Sequence, residues 1–256
     1  MASNSSIEWT ESTWNPTVGC TKISPGCKHC YAEVMHQRLT HTRQPKYSDP
    51  FRTVRPWEPH LELPLRWREH RLVFVNSMSD LFHDDIPASY IRRVFDVMAR
   101  AQQHTFQVLT KRSSRLMAMA EVLPWPRNVW MGVSIESEDY VFRAIDLGRV
   151  PAAVRFLSIE PLLGPINHIP LSCIDWVIVG GESGHHARPM DLAWARSIRD
   201  QCASKGVPFF LKQLGGARDK RGGVKARLDG KTHRAFPRPD AGIGHIHEMP
   251  TTLQQA

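Results

Sequence analysis

Short apolar runs alternate with longer amphipathic ones along most of the chain. The β-rich runs are Arg71 to Asp80, Thr105 to Arg112, Asn128 to Ser137, Ala153 to Pro161, Asp175 to Gly184 and Val207 to Gly216. Each is too short for a helix and too continuously apolar for a half-exposed strand, the pattern of parallel strands covered on both faces. Between them, Ile86 to Ala101, Ser114 to Val122, Ser137 to Gly148 and Asp191 to Gly206 carry helical periodicity. Asp191 is placed to cap the last of these and Gly206 to end it. Leu162 to Cys173 has no helical pattern, so that crossover is expected to be a loop. A seventh strand is expected in "WNPTVGC".

Six to seven strand-then-helix units joined by right-handed crossovers predict an α/β fold, a full or partial TIM-like (β/α) barrel; a doubly wound open sheet is the alternative. Either architecture puts the site at the C-terminal ends of the strands. Polar residues gather there: Asn76, Ser77, Ser79 and Asp80; Thr110, Lys111 and Arg112; Ser134 and Glu136; Ser158 and Glu160; Gly180, Gly181 and Glu182; Lys212 and Gln213. Single residues of this kind serve equally as caps and solvated tips. Glutamate is not a favoured cap, so Glu136, Glu160 and Glu182 are read as candidate catalytic groups lining one cavity, with Lys212 beside them.

Composition changes the picture at the cysteines. The chain has 256 residues, 41% of them hydrophobic, which fills a core without disulfide staples. No apolar run reaches membrane-spanning length and "MASNSSIEW" is not a signal peptide, so no membrane association and a cytoplasmic location are expected. Of five cysteines, Cys173 and Cys202 are read as buried small hydrophobes, whereas Cys20, Cys27 and Cys30 cluster in "GCTKISPGCKHCYAE". In a reducing compartment such a cluster favours metal over a disulfide. An iron-sulfur cluster with one iron left open suits three thiolates. Zinc is the alternative, its fourth donor to come from His29, His36 or His41.

From Cys20, Cys27 and Cys30 the chain resembles the radical S-adenosylmethionine enzymes, although its spacing is C-x6-C-x2-C where that superfamily usually has C-x3-C-x2-C. More narrowly, "WTESTWNPTVGCTKISPGCKHCYAE", "RPWEP", "FVNSMSDLFH", "LSIEPLLGPI", "WVIVGGESGHHARPM" and "PFFLKQLGG" resemble a bacteriophage-associated family of unknown function. The resemblance implies a [4Fe-4S] cluster on the three cysteines, S-adenosylmethionine on the open iron, an external electron donor, and hydrogen-atom abstraction from substrate. It implies that His29 packs by the cofactor's adenine, that Ser77, Ser79 and Asp80 meet its amino group, and that Ser134 and Glu136 meet its ribose. Gly180 and Gly181 are read as letting the backbone approach a ligand, with tight turns as the alternative.

Charge points to the substrate. The formal net charge is +8, and Arg218 to Arg238 alone holds eight basic and two acidic residues. This segment opens an expected basic, loop-rich extension, residues 217–256, behind a barrel domain of residues 1–216. A basic, aromatic insertion at about 43–71 offers Tyr47, Phe51, Trp57 and Trp67 for stacking on bases. Together they point to nucleic acid or a nucleotide, with a base modified or repaired. The competing reading is a nucleic-acid-binding protein whose metal only folds the cysteine loop.

Overall fold

The computed structural model describes residues 5 and 7–237; Arg238 and the rest of the expected extension lie outside the described residues. Seven parallel strands form one sheet that curls into a half-barrel. In spatial order they are β1 (Ser12–Trp14), β4 (Leu72–Val75), β5 (Thr105–Thr110), β6 (Val129–Ser134), β7 (Val154–Ile159), β8 (Trp176–Gly180) and β9 (Phe209–Gln213). Two small antiparallel pairs stand apart from it: β2 (Thr17–Val18) with β3 (Arg55–Pro56), and β10 (Arg227–Leu228) with β11 (Lys231–Thr232).

Four of the five helices among the described residues lie where the periodicity predicts them, and the first follows the cysteines. The five are α1 (Tyr31–Thr40), α2 (Ala88–Arg100), α3 (Ser113–Met119), α4 (Phe142–Gly148) and α5 (Leu192–Lys205). The Asp191 carboxylate accepts from the Ala193 amide at the start of α5, and Gly206 closes its end. The β7–β8 crossover holds only a short 3-10 turn, Leu171–Cys173, in agreement with the expected loop.

Strand alternation divides the core in two. Val73 and Val75 of β4 and Val177 and Val179 of β8 face the helices, while Leu72, Phe74, Trp176 and Ile178 turn to the inner side. There Trp9, Trp130, Phe156 and Phe210 join them and fill the base of the half-barrel. Large aromatics thus occupy the strand beginnings and leave the C-terminal ends open for polar residues.

Two expectations are corrected, and the insertion's aromatics find partners within the fold. The first strand of the sheet is Ser12–Trp14, overlapping "WNPTVGC" only at Trp14, because Pro16 has no N–H to donate and the following Thr17–Val18 pairs with the insertion instead. The insertion's aromatics are engaged within the fold: Tyr47 packs on His36, Trp57 on His60, Trp67 on His104 and Phe51 on His36. Cys173 is exposed, while Cys202 is buried as expected. Residues 217–237 pack against β9 and α5, with the Leu228 side chain fully buried and the Leu211 amide donating to His233 O.

The insertion also buries a cation without a carboxylate. Lys46 is 5% exposed; its Nζ donates to Asn15 O at 2.5 Å and lies 3.3 Å from His60 Nδ1. Burial, with Arg55 adding to it, pushes the Lys46 pKa down to about 7 from the usual 10.5. Burial and Lys46 hold His60 down to about 4, so it stays neutral above pH 6. Between pH 7 and 10 the unfolded chain therefore binds a proton at Lys46 that the folded chain lacks. Stability should rise with pH across that window by up to about 1.4 kcal/mol per unit and lose that contribution below pH 7. Denaturation of wild type and Lys46→Met at pH 7, 8 and 9 checks this: the substitution should remove the slope, and parallel profiles would refute it.

Candidate functional site

A cavity of about 540 Å³ opens at the C-terminal ends of the strands. Cys20, Cys27 and Cys30 form part of its wall, and His29, Ser77, Ser79, Asp80, Ser134, Glu160, Gly181, Glu182 and Lys212 complete most of it. Of the residues singled out from sequence, Glu136 and Gly180 do not line it. Their places are explained by what they touch.

Glu136 is fully buried beneath the cysteine loop. Its Oε1 accepts from the Ser24 hydroxyl at 2.6 Å and lies 3.2 Å from Lys111 Nζ, while Oε2 pairs with Arg143 at 3.0 Å. A Cβ at Gly26 would stand 2.4 Å from Glu136 Cγ, so the loop crosses this carboxylate at a distance only glycine permits. Glu182 makes a second clamp. Its carboxylate holds Arg188, whose Nη2 donates to Pro25 O at 3.0 Å. Burial alone would raise the Glu182 pKa, but the hydrogen bonds from Arg188 pull it below the usual carboxylate range. Glu160 differs from both: it lines the cavity, accepts from Lys212 Nζ at 2.7 and 2.8 Å, and accepts from Gln213 at 3.1 Å. The three carboxylates thus gather around the cysteine loop, two as clamps and one in the open cavity.

The glycines sit where backbone segments approach closely. Gly180 faces Glu160 and Gln213, and a Cβ on Gly181 would meet Leu214 O at 2.4 Å. Their freedom brings the β8 and β9 ends together, and Gly181 also lines the cavity. The serines and Asp80 are likewise engaged with protein. Ser77 Oγ bonds the Asn15 side chain, and Ser79 Oγ is 2.8 Å from Thr17 Oγ1. Asp80 accepts from Thr110, the Lys111 amide and Arg112. The Tyr31 hydroxyl donates to Ser77 O, tying α1 to the end of β4.

The structure adds Arg112, Asn76 and Trp9 to the cavity wall. Arg112 Nη1 lies 3.8 Å from Cys20 Sγ and its Nη2 donates to Thr21. Burial pushes the Cys20 thiol up to about 12, Asp80 adds to that, and Arg112 opposes it. Burial raises Cys30 too, against backbone amides of Glu33 and Ala32 at the start of α1.

The donor chemistry suits a thiolate-held group, with three thiols on one wall and a guanidinium and a helix N-terminus facing two of them, but the side chains are not drawn together as a ligand set. Among the described residues, no three His, Cys, Asp or Glu side chains are arranged so as to hold a metal ion. For the zinc alternative, His36 is bound to Asp49 O and His41 to Gln37 O. His29 remains beside the cysteines, its ring 5.8 Å from that of His186. No helix among the described residues is long and apolar enough to cross a membrane.

A model of the family described as protein of unknown function (DUF5131) matches residues 4–237. Comparisons with curated proteins and with solved structures give no match.

Proposed function

The chain belongs to that family, and we propose that it is a radical S-adenosylmethionine enzyme acting on a nucleotide or a nucleic acid base. One observation carries this reading: Cys20, Cys27 and Cys30 share a single cavity wall with the polar residues gathered at the strand ends. Those cysteines would hold three irons of a [4Fe-4S] cluster, which when bound with S-adenosylmethionine supplies one-electron cleavage and hydrogen-atom abstraction.

The protein's own residues have separate tasks. Glu136 and the Glu182–Arg188 pair fix the cysteine loop at Ser24 and Pro25. Arg112 at Cys20 and the first amides of α1 at Cys30 work against the burial that raises these thiols. Glu160 and Lys212 offer paired charges to a ligand inside the cavity, and the aromatic base of the half-barrel excludes water from below.

Anaerobic purification tests the assignment. Brown protein with roughly four irons per chain that cleaves S-adenosylmethionine after reduction supports it. Colourless protein with one zinc would instead support a nucleic-acid-binding protein with a structural metal.

The basic segment supports the substrate class, and the structure divides it. The loop from Gly215 to Gly222 abuts Glu182, with Lys220 lining the cavity and Arg218 and Arg221 exposed at the rim. Arg227 and Lys231 belong to the β10–β11 hairpin, whose Asp229 pairs with Arg196 and Arg199 of α5. Replacing Arg218 and Arg221 by Gln should flatten the log-log salt dependence of nucleic-acid binding by about 2. Replacing Arg227 and Lys231 should leave it unchanged. A wild-type protein with no salt-sensitive binding to single- or double-stranded DNA or RNA would end the nucleic-acid reading.

A further inference from the structure

The floor of the cavity holds polar groups for which the protein supplies no partner. Asn76, just past β4, is 3% exposed, and neither its amide nitrogen nor its amide oxygen is hydrogen-bonded among the described residues. The indole Nε1 of Trp9, a residue 2% exposed, is in the same condition. Both residues line the cavity with Phe74, whose ring centroid is 4.7 Å from that of Trp9. Their polar neighbours Ser77, Ser79 and Asp80 are all satisfied from within the chain.

Asn76 also has a left-handed backbone, φ 61°. Asparagine tolerates this conformation better than most residues, but glycine takes it at no cost. An orphaned amide and a left-handed backbone each lower stability, and such costs gather at sites that complete their bonding with a ligand.

We propose that Asn76, with Trp9 Nε1 on the same cavity, reads the hydrogen-bonding edge of a nucleobase in the substrate; this rests on the nucleotide or nucleic-acid reading above. A carboxamide sets a donor beside an acceptor, the complement of the edges that purines and pyrimidines present. Trp9, Phe74 and Leu109 give the cavity an apolar surface for a base, the Trp9 and Phe74 rings tilted 56° to each other. Lys212 and Lys220, on the same cavity, stand where a phosphate can be met. The cofactor's adenine is assigned to the side of His29, which leaves the floor to the substrate.

Binding of the four nucleoside 5′-monophosphates tests this, measured by calorimetry on the metal-loaded protein. N6,N6-dimethyl-AMP and 3-methyl-UMP, whose edges are blocked, serve as controls. Wild type should bind AMP or UMP about tenfold more tightly than its methylated counterpart. Asn76→Gly should abolish that discrimination while melting at or above the wild-type temperature with unchanged iron content, and Asn76→Asp should abolish it as well. Absence of binding, equal affinity for the blocked edges, or discrimination that survives in Asn76→Gly would overturn the proposal. Competition by S-adenosylhomocysteine would overturn it too, by placing the base in the cofactor's site. A protein that holds no iron but discriminates through Asn76 would instead retire the radical-enzyme reading and keep this one.

Discussion

On the proposed function, replacing any one of Cys20, Cys27 or Cys30 by Ala should leave the anaerobically purified protein without iron and without reductive cleavage of S-adenosylmethionine. Cys173→Ala and Cys202→Ala should leave both unchanged. All three thiols of the first group border one cavity, whereas Cys173 is exposed and Cys202 lies on the buried face of α5 in the core. Losing one of three protein ligands opens a second iron to solvent, so the effect should be close to all-or-none rather than graded. Burial raises Cys20 and Cys30 above the usual thiol range, so the metal-free site holds protons there near neutral pH, which iron must displace. Iron content and sulfide content per chain check the result. Equal loss from all five substitutions would show that the iron reports general folding.

The strands were legible because both their faces are covered, which produces continuous apolar runs such as "LVFV" and "WVIV" that no helix of this length would carry. The strand-end rule then gathered a set of polar residues, nearly all of which border one cavity. Two features escaped it. The division of the glutamates into clamps and cavity group depends on which loop crosses them. Sequence spacing does not reveal that Gly26 passes over Glu136 or that Arg188 reaches Pro25. The orphaned amide of Asn76 is a statement about missing partners, and partners are fixed only by tertiary packing. Composition does not reveal what the insertion's aromatics touch within the fold. Trp57 and Trp67 lie under Arg55 and Arg71.

The clamp reading makes Glu136 the carboxylate whose removal costs most. Glu136→Ala leaves the Arg143 guanidinium, 3% exposed, and the partly buried Lys111 ammonium without their shared counter-charge. Breaking a buried ion pair from one side destabilises by about 3–5 kcal/mol, and a chain of this size should melt roughly 10 °C lower. The Ser24 hydroxyl loses its acceptor at the same time, and Ser24 Oγ lies 3.6 Å from Cys27 Sγ, so iron retention should fall with stability. Glu136→Gln keeps an oxygen for Ser24 but not the charge and should lie between wild type and Ala on both measures. Glu160→Gln provides the contrast. Its partner Lys212 is partly solvated at the cavity, so melting temperature and iron content should change little while turnover falls. Thermal melts and iron assays on the three variants separate the roles. If Glu136→Ala melts within 2 °C or so of wild type and keeps its iron, the clamp is not what holds the cysteine loop.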